Sequence, residues 1–195
     1  MTGFDDDSAL ARKVQEGDRD AFETLLSRYE RPIFGFVQHF FHDAALSQDL
    51  TQETFLRAWR FIGSFRPEEK FSTWLYSIAK NLCIDEMRRV QRGGTVDLGG
   101  IDPEMFPTDA DSASNPFRST LLSQEGEVLR RIVAQLPEKY RTCIILFYFN
   151  ELSYEEISSV MKVSLSNTKI MLFRGKKMLL DLYRRETSRG GVTRG

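Results

Sequence analysis

The stretch LSYEEISSVMKVSLSNTKIMLFRGKKML, residues 152–179, holds two helical patterns separated by a short turn. Ser153 and Glu156 stand at the spacing of a capping box, so a short helix opens here and ends near Met161. A turn passes through Lys162–Ser164. Beyond it Leu165, Thr168, Leu172 and Leu179 fall on one stripe, which can pack on a core. Ile170 and Phe173 lie off that stripe, among Lys169, Arg174 and Lys177, on a side that should face water.

A short helix bracing a longer one is a helix-turn-helix, whose second helix lies in a major groove. The outward face of that second helix comprises Ser166, Asn167, Lys169, Ile170, Phe173, Arg174 and Lys177. Polar tips suit base edges, apolar groups suit thymine methyls and lysines suit phosphates. Ile170 and Phe173 would then be dry only with DNA, or with a protein partner, in place. Burial of both faces by another subunit is the competing explanation of the same pattern.

Working outward, Pro137 suits the first turn of a helix through EKYRTCIILFYF, preceded by a helix in QEGEVLRRIVAQL. Residues 93–122 differ in kind. They are rich in Gly, Pro, Ser and Asp without a sustained period, and read as a linker between two helical domains. Upstream, residues 8–41 read as helix broken near EGDRD, with Pro32 expected to bend the second part. A helix from about Ser47 to Phe61 has Leu50, Thr54, Phe55, Ala58, Trp59 and Ile62 on its apolar side. Asp49, Gln52, Glu53, Arg57 and Arg60 form its other side. A long helix spans about Phe71 to Gln91, with Phe71, Leu75, Ile78, Leu82 and Cys83 inward. The fold class is therefore all-α in two helical domains.

Net charge is −1 over 195 residues, yet residues 162–195 carry nine basic and two acidic side chains. A neutral total conceals a basic C-terminal end and an acidic middle, and that end suits nucleic acid. Seven aromatics crowd residues 55–76: Phe55, Trp59, Phe61, Phe65, Phe71, Trp74 and Tyr76. Beside Arg66, Lys70, Lys80, Arg88 and Arg89 they suit either a core or a surface that stacks unpaired bases.

No catalytic constellation, glycine-rich phosphate loop or nucleophile motif is present, so no enzymatic activity and no cofactor are expected. His39 and His42, with Asp43, lack further nearby ligands, and no metal site is expected. Cys83 and Cys143 read as buried, reduced thiols of a cytosolic protein. No run reaches a membrane span and the acidic N-terminus carries no secretion signal, so direct membrane insertion is not expected.

DLTQETFLRAWRFIGSF, FSTWLYSIAKNLCIDEMRR and LSYEEISSVMKVSLSNTKIMLFRGKKML, in that order, resemble successive motifs of a bacterial RNA polymerase sigma factor. The two-domain size resembles the extracytoplasmic-function (ECF) group of the sigma-70 family. The resemblance covers about residues 10–92 and 123–183. It implies a region 2 domain at 8–92, a flexible acidic linker at 93–122 and a region 4 domain at 123–185.

In this family a polar face early in region 2 binds the β′ clamp helices of core RNA polymerase, which falls on Asp49, Gln52 and Glu53. The −10 element is read as single strand with a flipped base, which falls on Phe65 and Asn81, with Trp74, Tyr76, Lys80 and Arg88 nearby. The recognition helix reads the −35 element as duplex through the outward face named above. The resemblance also implies contact with the polymerase β flap, promoter DNA as ligand, an anti-sigma factor as inhibitor, and a cytoplasmic, nucleoid-associated location. A stand-alone helix-turn-helix regulator of duplex DNA is the alternative function.

The sequence departs from the family pattern in places. Lys162 stands where the turn often has glycine, so a left-handed residue there would be strained. Ile170 and Met171 replace residues that are often polar or basic, so the −35 sequence does not carry over. A 30-residue coil spans only ~30 Å root-mean-square, whereas about 20 base pairs extend ~70 Å. A linker joining readers of both elements must therefore be held stretched.

Overall fold

The computed structural model describes residues 3–92 and 126–190, and every regular element among them is helical. They form two compact units. The first contains α1 (Gly3–Gln15), α2 (Arg19–Phe41), α3 (Ala44–Phe61) and α4 (Phe71–Arg92). A 3₁₀ turn at Ile62–Ser64 follows α3. The second contains α5 (Gly126–Ala134), α6 (Glu138–Ile144), a π turn at Ile145–Phe149, α7 (Tyr154–Met161) and α8 (Leu165–Gly190). The linker read at 93–122, and the start of the second domain at 123, lie outside the described residues.

Local chemistry sets the corners of the first unit. Gly17 takes a left-handed φ of 99°, which a side chain would resist, and lets the chain reverse before α2. The Asp18 carboxylate then caps α2 by accepting from the Ala21 N–H at 3.1 Å. At the far end His42 closes α2 in the left-handed region and Asp43 immediately caps α3, accepting from the Leu46 N–H at 3.1 Å. Two caps in adjacent residues leave no slack between α2 and α3. Pro32, expected to bend α2, is exposed and the helix continues through it.

The core holds Leu25, Ile33, Phe36, Phe71 and Leu75, all essentially inaccessible. The inward side of α3 is small and hydroxylated: Ser47, Thr51, Thr54 and Ala58 are buried. Ser47, Thr51 and Thr54 each donate to the carbonyl four residues back, at 2.6–2.7 Å, so burial leaves these hydroxyls satisfied. Trp59, assigned to the apolar side, is instead 40% exposed, because it lies at the edge of that stripe, where it meets the Phe22 ring edge-on at 4.9 Å.

In the second unit Pro137 precedes the first helical residue of α6 rather than occupying it. Arg141 reaches back from α6 to donate to the Ala134 and Leu136 carbonyls at the end of α5. A guanidinium at a helix C-terminus satisfies carbonyls that have no helical donor. Burial pushes its pKa down from the usual arginine range, with Glu138 opposing that shift. Cys83 and Cys143 are both buried, and burial pushes the Cys143 thiol up to about 12.

Candidate nucleic-acid interface

The capping box at the start of α7 is closed in both directions. The Ser153 N–H donates to Glu156 Oε2 at 2.8 Å and the Glu156 N–H donates to Ser153 Oγ at 3.2 Å. Lys162 then adopts the left-handed region, φ 55°, at the position expected to be strained. The turn is tied on both sides of it: the Val163 N–H donates to the Ser158 carbonyl at 3.1 Å, and Ser158 Oγ donates to the Val163 carbonyl at 2.7 Å. Ser164 caps α8 by accepting from the Asn167 N–H at 3.2 Å.

α8 packs through Thr168, Leu172, Gly175 and Leu179, all buried. The Thr168 hydroxyl bonds back to the Ser164 carbonyl at 3.2 Å. Gly175 lets α8 approach α6, since a Cβ there would meet Ile144 Cγ1 at 3.0 Å. Leu165, assigned to the inward stripe, is instead 36% exposed as the first residue of α8. On the outer side Ser166, Asn167, Lys169, Ile170, Phe173 and Lys177 are exposed and Arg174 is half-buried. Ile170 and Phe173 keep 41% and 44% of their surface in water. The helix therefore offers an apolar pair framed by four cations, Lys169, Arg174, Lys176 and Lys177, with no acid before Asp181.

In the first unit Asp49 and Gln52 are exposed on α3 and Glu53 is half-exposed. Glu53 is not free: Arg57 Nε donates to its Oε1 at 2.7 Å, one helical turn on. Leu56, 60% exposed, continues the same face at the i, i+4, i+7 steps from Asp49. Sequence reasoning left Leu56 out, although it falls off the Leu50–Thr54–Ala58 stripe and was legible on that ground.

On α4 Asn81 and Arg88 are exposed and Trp74 is half-buried. Lys80, also expected at the −10 site, precedes Asn81, points about 100° away around the helix and is buried, 8% exposed. Phe65 and Tyr76, expected beside a flipped base, are 3% and 4% exposed and offer no free ring face. The reason is mutual packing of the aromatics. Phe65 lies edge-on to Phe71 at 5.7 Å and to Trp74 at 5.6 Å, and Tyr76 lies edge-on to Phe36 at 5.4 Å. Of the seven crowded aromatics, Phe55, Phe65, Phe71 and Tyr76 are core, and Trp59 and Phe61 face water.

Residues 25–93 match the family described as sigma-70 region 2, and residues 126–179 match sigma-70, region 4. The chain is 34% identical to the RNA polymerase sigma-H factor of Pseudomonas aeruginosa over 92% of its own length and 94% of that protein. It is 31% identical to the ECF RNA polymerase sigma factor SigW of Bacillus subtilis, over 86% and 91% of the two chains. The chain belongs to the ECF group of sigma-70 factors.

Among solved structures, CnrH in complex with the cytosolic domain of CnrY resembles this sigma factor with a TM-score of 0.69, over 92% of this chain and 97% of that one, at 21% identity. RpoE of Bartonella quintana, in complex with the anti-sigma factor NepR, gives 0.62 over 84% and 96%, at 20% identity. These two establish likeness of fold. A sigma factor is a transcription initiation factor, and the region 2 match accounts for the first unit, which a stand-alone helix-turn-helix regulator leaves without a role. Among the described residues no helix is long and apolar enough to cross a membrane, and no three His, Cys, Asp or Glu side chains gather as metal ligands.

Proposed function

We propose that this sigma factor divides promoter recognition between its two units, with 8–92 acting as region 2, 93–122 as the connecting linker and 123–185 as region 4. In the second unit the outer face of α8 reads the −35 duplex: Lys169, Arg174, Ser166 and Asn167 reach base edges or phosphates, Ile170 and Phe173 meet thymine methyls, and Lys177 holds a phosphate. This unit also meets the polymerase β flap. In the first unit Asp49, Gln52 and Glu53, joined by Leu56, dock on the β′ clamp helices. Asn81, Trp74 and Arg88 hold the −10 single strand, with the buried Lys80, Phe65 and Tyr76 fixing the platform from behind.

The observation that carries this reading is the exposed Ile170–Phe173 pair, framed by cations, on the second helix of a helix-turn-helix. The part of these two side chains left in water gains nothing for the isolated fold and contributes when a groove covers it. The factor performs no chemistry itself; polymerase does. It works in the cytoplasm, at the nucleoid when in use. An anti-sigma protein covering α8 would shelter the same apolar pair between rounds of use.

Transcription by purified core polymerase, with and without this chain, on a library of genomic promoters tests the reading. Specific transcripts are expected only with the chain present. Tight, selective duplex binding by the chain alone, with no dependence of transcription on it, would overturn it.

A further inference from the structure

One side chain of α1 reaches across to the loop that joins α3 to α4. Gln15, the last residue of α1, donates from Nε2 to the Ile62 carbonyl at 2.8 Å and to the Phe65 carbonyl at 2.9 Å. Those carbonyls bracket the 3₁₀ turn, and the Ile62 oxygen also accepts from the Phe65 N–H at 3.0 Å. Both targets are acceptors. An amide nitrogen with two hydrogens satisfies both, and the amide oxygen satisfies neither, so chemistry fixes which way the carboxamide faces. The loop is otherwise held from inside by the Phe65 ring against Phe71 and Trp74. Between these two anchors Gly63, Ser64 and Arg66 remain exposed.

A buried ring fixes the depth of a loop, but it leaves the backbone free to tilt about it. Two hydrogen bonds at the two ends of a turn remove that tilt. We propose that Gln15 is a positioning residue for strand reading, setting the path of residues 62–66 so that Ser64 and Arg66 meet the −10 single strand at a fixed place. This rests on the assignment of −10 reading to the first unit. It adds α1, a helix with no assigned part in promoter contact, to the apparatus that discriminates bases.

The test uses the full chain assembled with core polymerase and a fluorescent single-stranded oligonucleotide carrying the −10 sequence that the wild-type holoenzyme selects. Versions with each base changed in turn and a −35 duplex complete the set. Gln15→Leu removes the donors at similar size, Gln15→Glu sets an acceptor against two carbonyls, and Gln15→Lys retains a donor. Leu and Glu are expected to lose about tenfold in affinity for the preferred strand, the order expected for two neutral hydrogen bonds, and to flatten the penalty at one or two base positions. Lys should stay within about threefold of wild type, and the −35 duplex should bind all four proteins alike.

Base penalties that survive intact in both Leu and Glu variants would overturn the proposal, even if the melting temperature falls, since Gln15 would then serve stability alone. Equal losses in Lys and Glu variants would also overturn it, because donors would not matter. A wild-type holoenzyme that fails to distinguish the preferred strand from a scrambled one refutes the −10 assignment itself, and this proposal with it.

Discussion

The two proposed DNA-reading sites of this sigma factor present their aromatic and apolar side chains in opposite ways. On α8, Phe173 is 44% exposed and Ile170 41%, while on the α3–α4 side of the first unit Phe65 is 3% exposed and Tyr76 4%. Under the proposed division of labour the partners differ in the same sense. Duplex DNA offers an open major groove, so a reading face can stand ready before contact. A −10 base must first leave its stack, at a cost of a few kcal/mol, and a ring left in water to receive it would be a liability until then. Around the loop that joins α3 to α4 the first unit keeps Phe65, Phe71 and Tyr76 in the core and leaves polar and cationic groups, Asn81, Arg88, Ser64 and Arg66, at the surface.

Truncating one ring from each unit should have opposite effects on stability and on DNA binding. Phe65→Ala should cost ~3–5 kcal/mol of folding stability, the range for a fully buried phenylalanine. Phe173→Ala should stay within about 0.5 kcal/mol, as an exposed substitution. Chemical denaturation of the two variants measures both. Similar losses in the two would mean that Phe173 belongs to the core of the second unit and not to its outer face.

Function should show the reverse order. Phe173→Ala should lose ~1–3 kcal/mol of binding on the preferred −35 duplex and relax one position. Lys177→Ala should weaken all duplexes alike and reduce the salt slope by about one ion. Competition binding across a set of −35 variants, at two salt concentrations, separates the two kinds of contact. A uniform loss for Phe173→Ala would remove it from the base-reading face.

The exposed apolar surface of α3 should serve protein rather than DNA. Gln52→Ala with Leu56→Ala should weaken core polymerase binding by ~1–3 kcal/mol while leaving the melting transition in place. Glu53→Ala should do less, because Arg57 already holds that carboxylate on the same helix. A titration against core polymerase that finds Glu53→Ala the most damaging would reverse the ranking.

The smallest effect concerns pH. Glu86 is held below the usual carboxylate range by hydrogen bonds from Arg89, at 2.7 and 2.8 Å, and burial opposes that shift slightly. A depressed folded pKa contributes stability above the unfolded value, and that contribution fades as the pH falls through the folded one. The melting temperature of wild type should therefore exceed that of Glu86→Gln slightly at neutral pH, and the two should converge once the pH is well below about 4. With Arg89 largely in water the difference is modest and should shrink in high salt. A gap that widens in acid would contradict the sign.

The helix-turn-helix was legible because two short-range signals agree. The Ser153–Glu156 box marks where α7 starts, and the stripe through Thr168, Leu172 and Leu179 separates inside from outside on α8. The exposure of Ile170 and Phe173 follows from that periodicity alone. The first unit was legible in its helices but not in its ring positions. Aromatics at 65, 71, 74 and 76 fit a core and a stacking surface equally well, and only three-dimensional packing decides between them. Gln15 was hidden for a different reason: its partners are backbone carbonyls 47 and 50 residues away, which leave no mark on composition or period. The Lys162 turn shows the converse, since a lysine at φ 55° is a tolerated exception that sequence pattern flags as a conflict.

The most direct test of the division between a ready duplex reader and a closed strand reader is a transcription selection on promoters randomised at both elements. Core polymerase would be programmed with wild type, Phe173→Ala or Asn81→Ala. Phe173→Ala should shift the selected −35 sequence and leave the −10 sequence unchanged. Asn81→Ala should do the opposite, and a premelted −10 template should restore part of its output. Altered −10 preference from Phe173→Ala, or unchanged preferences from both variants, would contradict it.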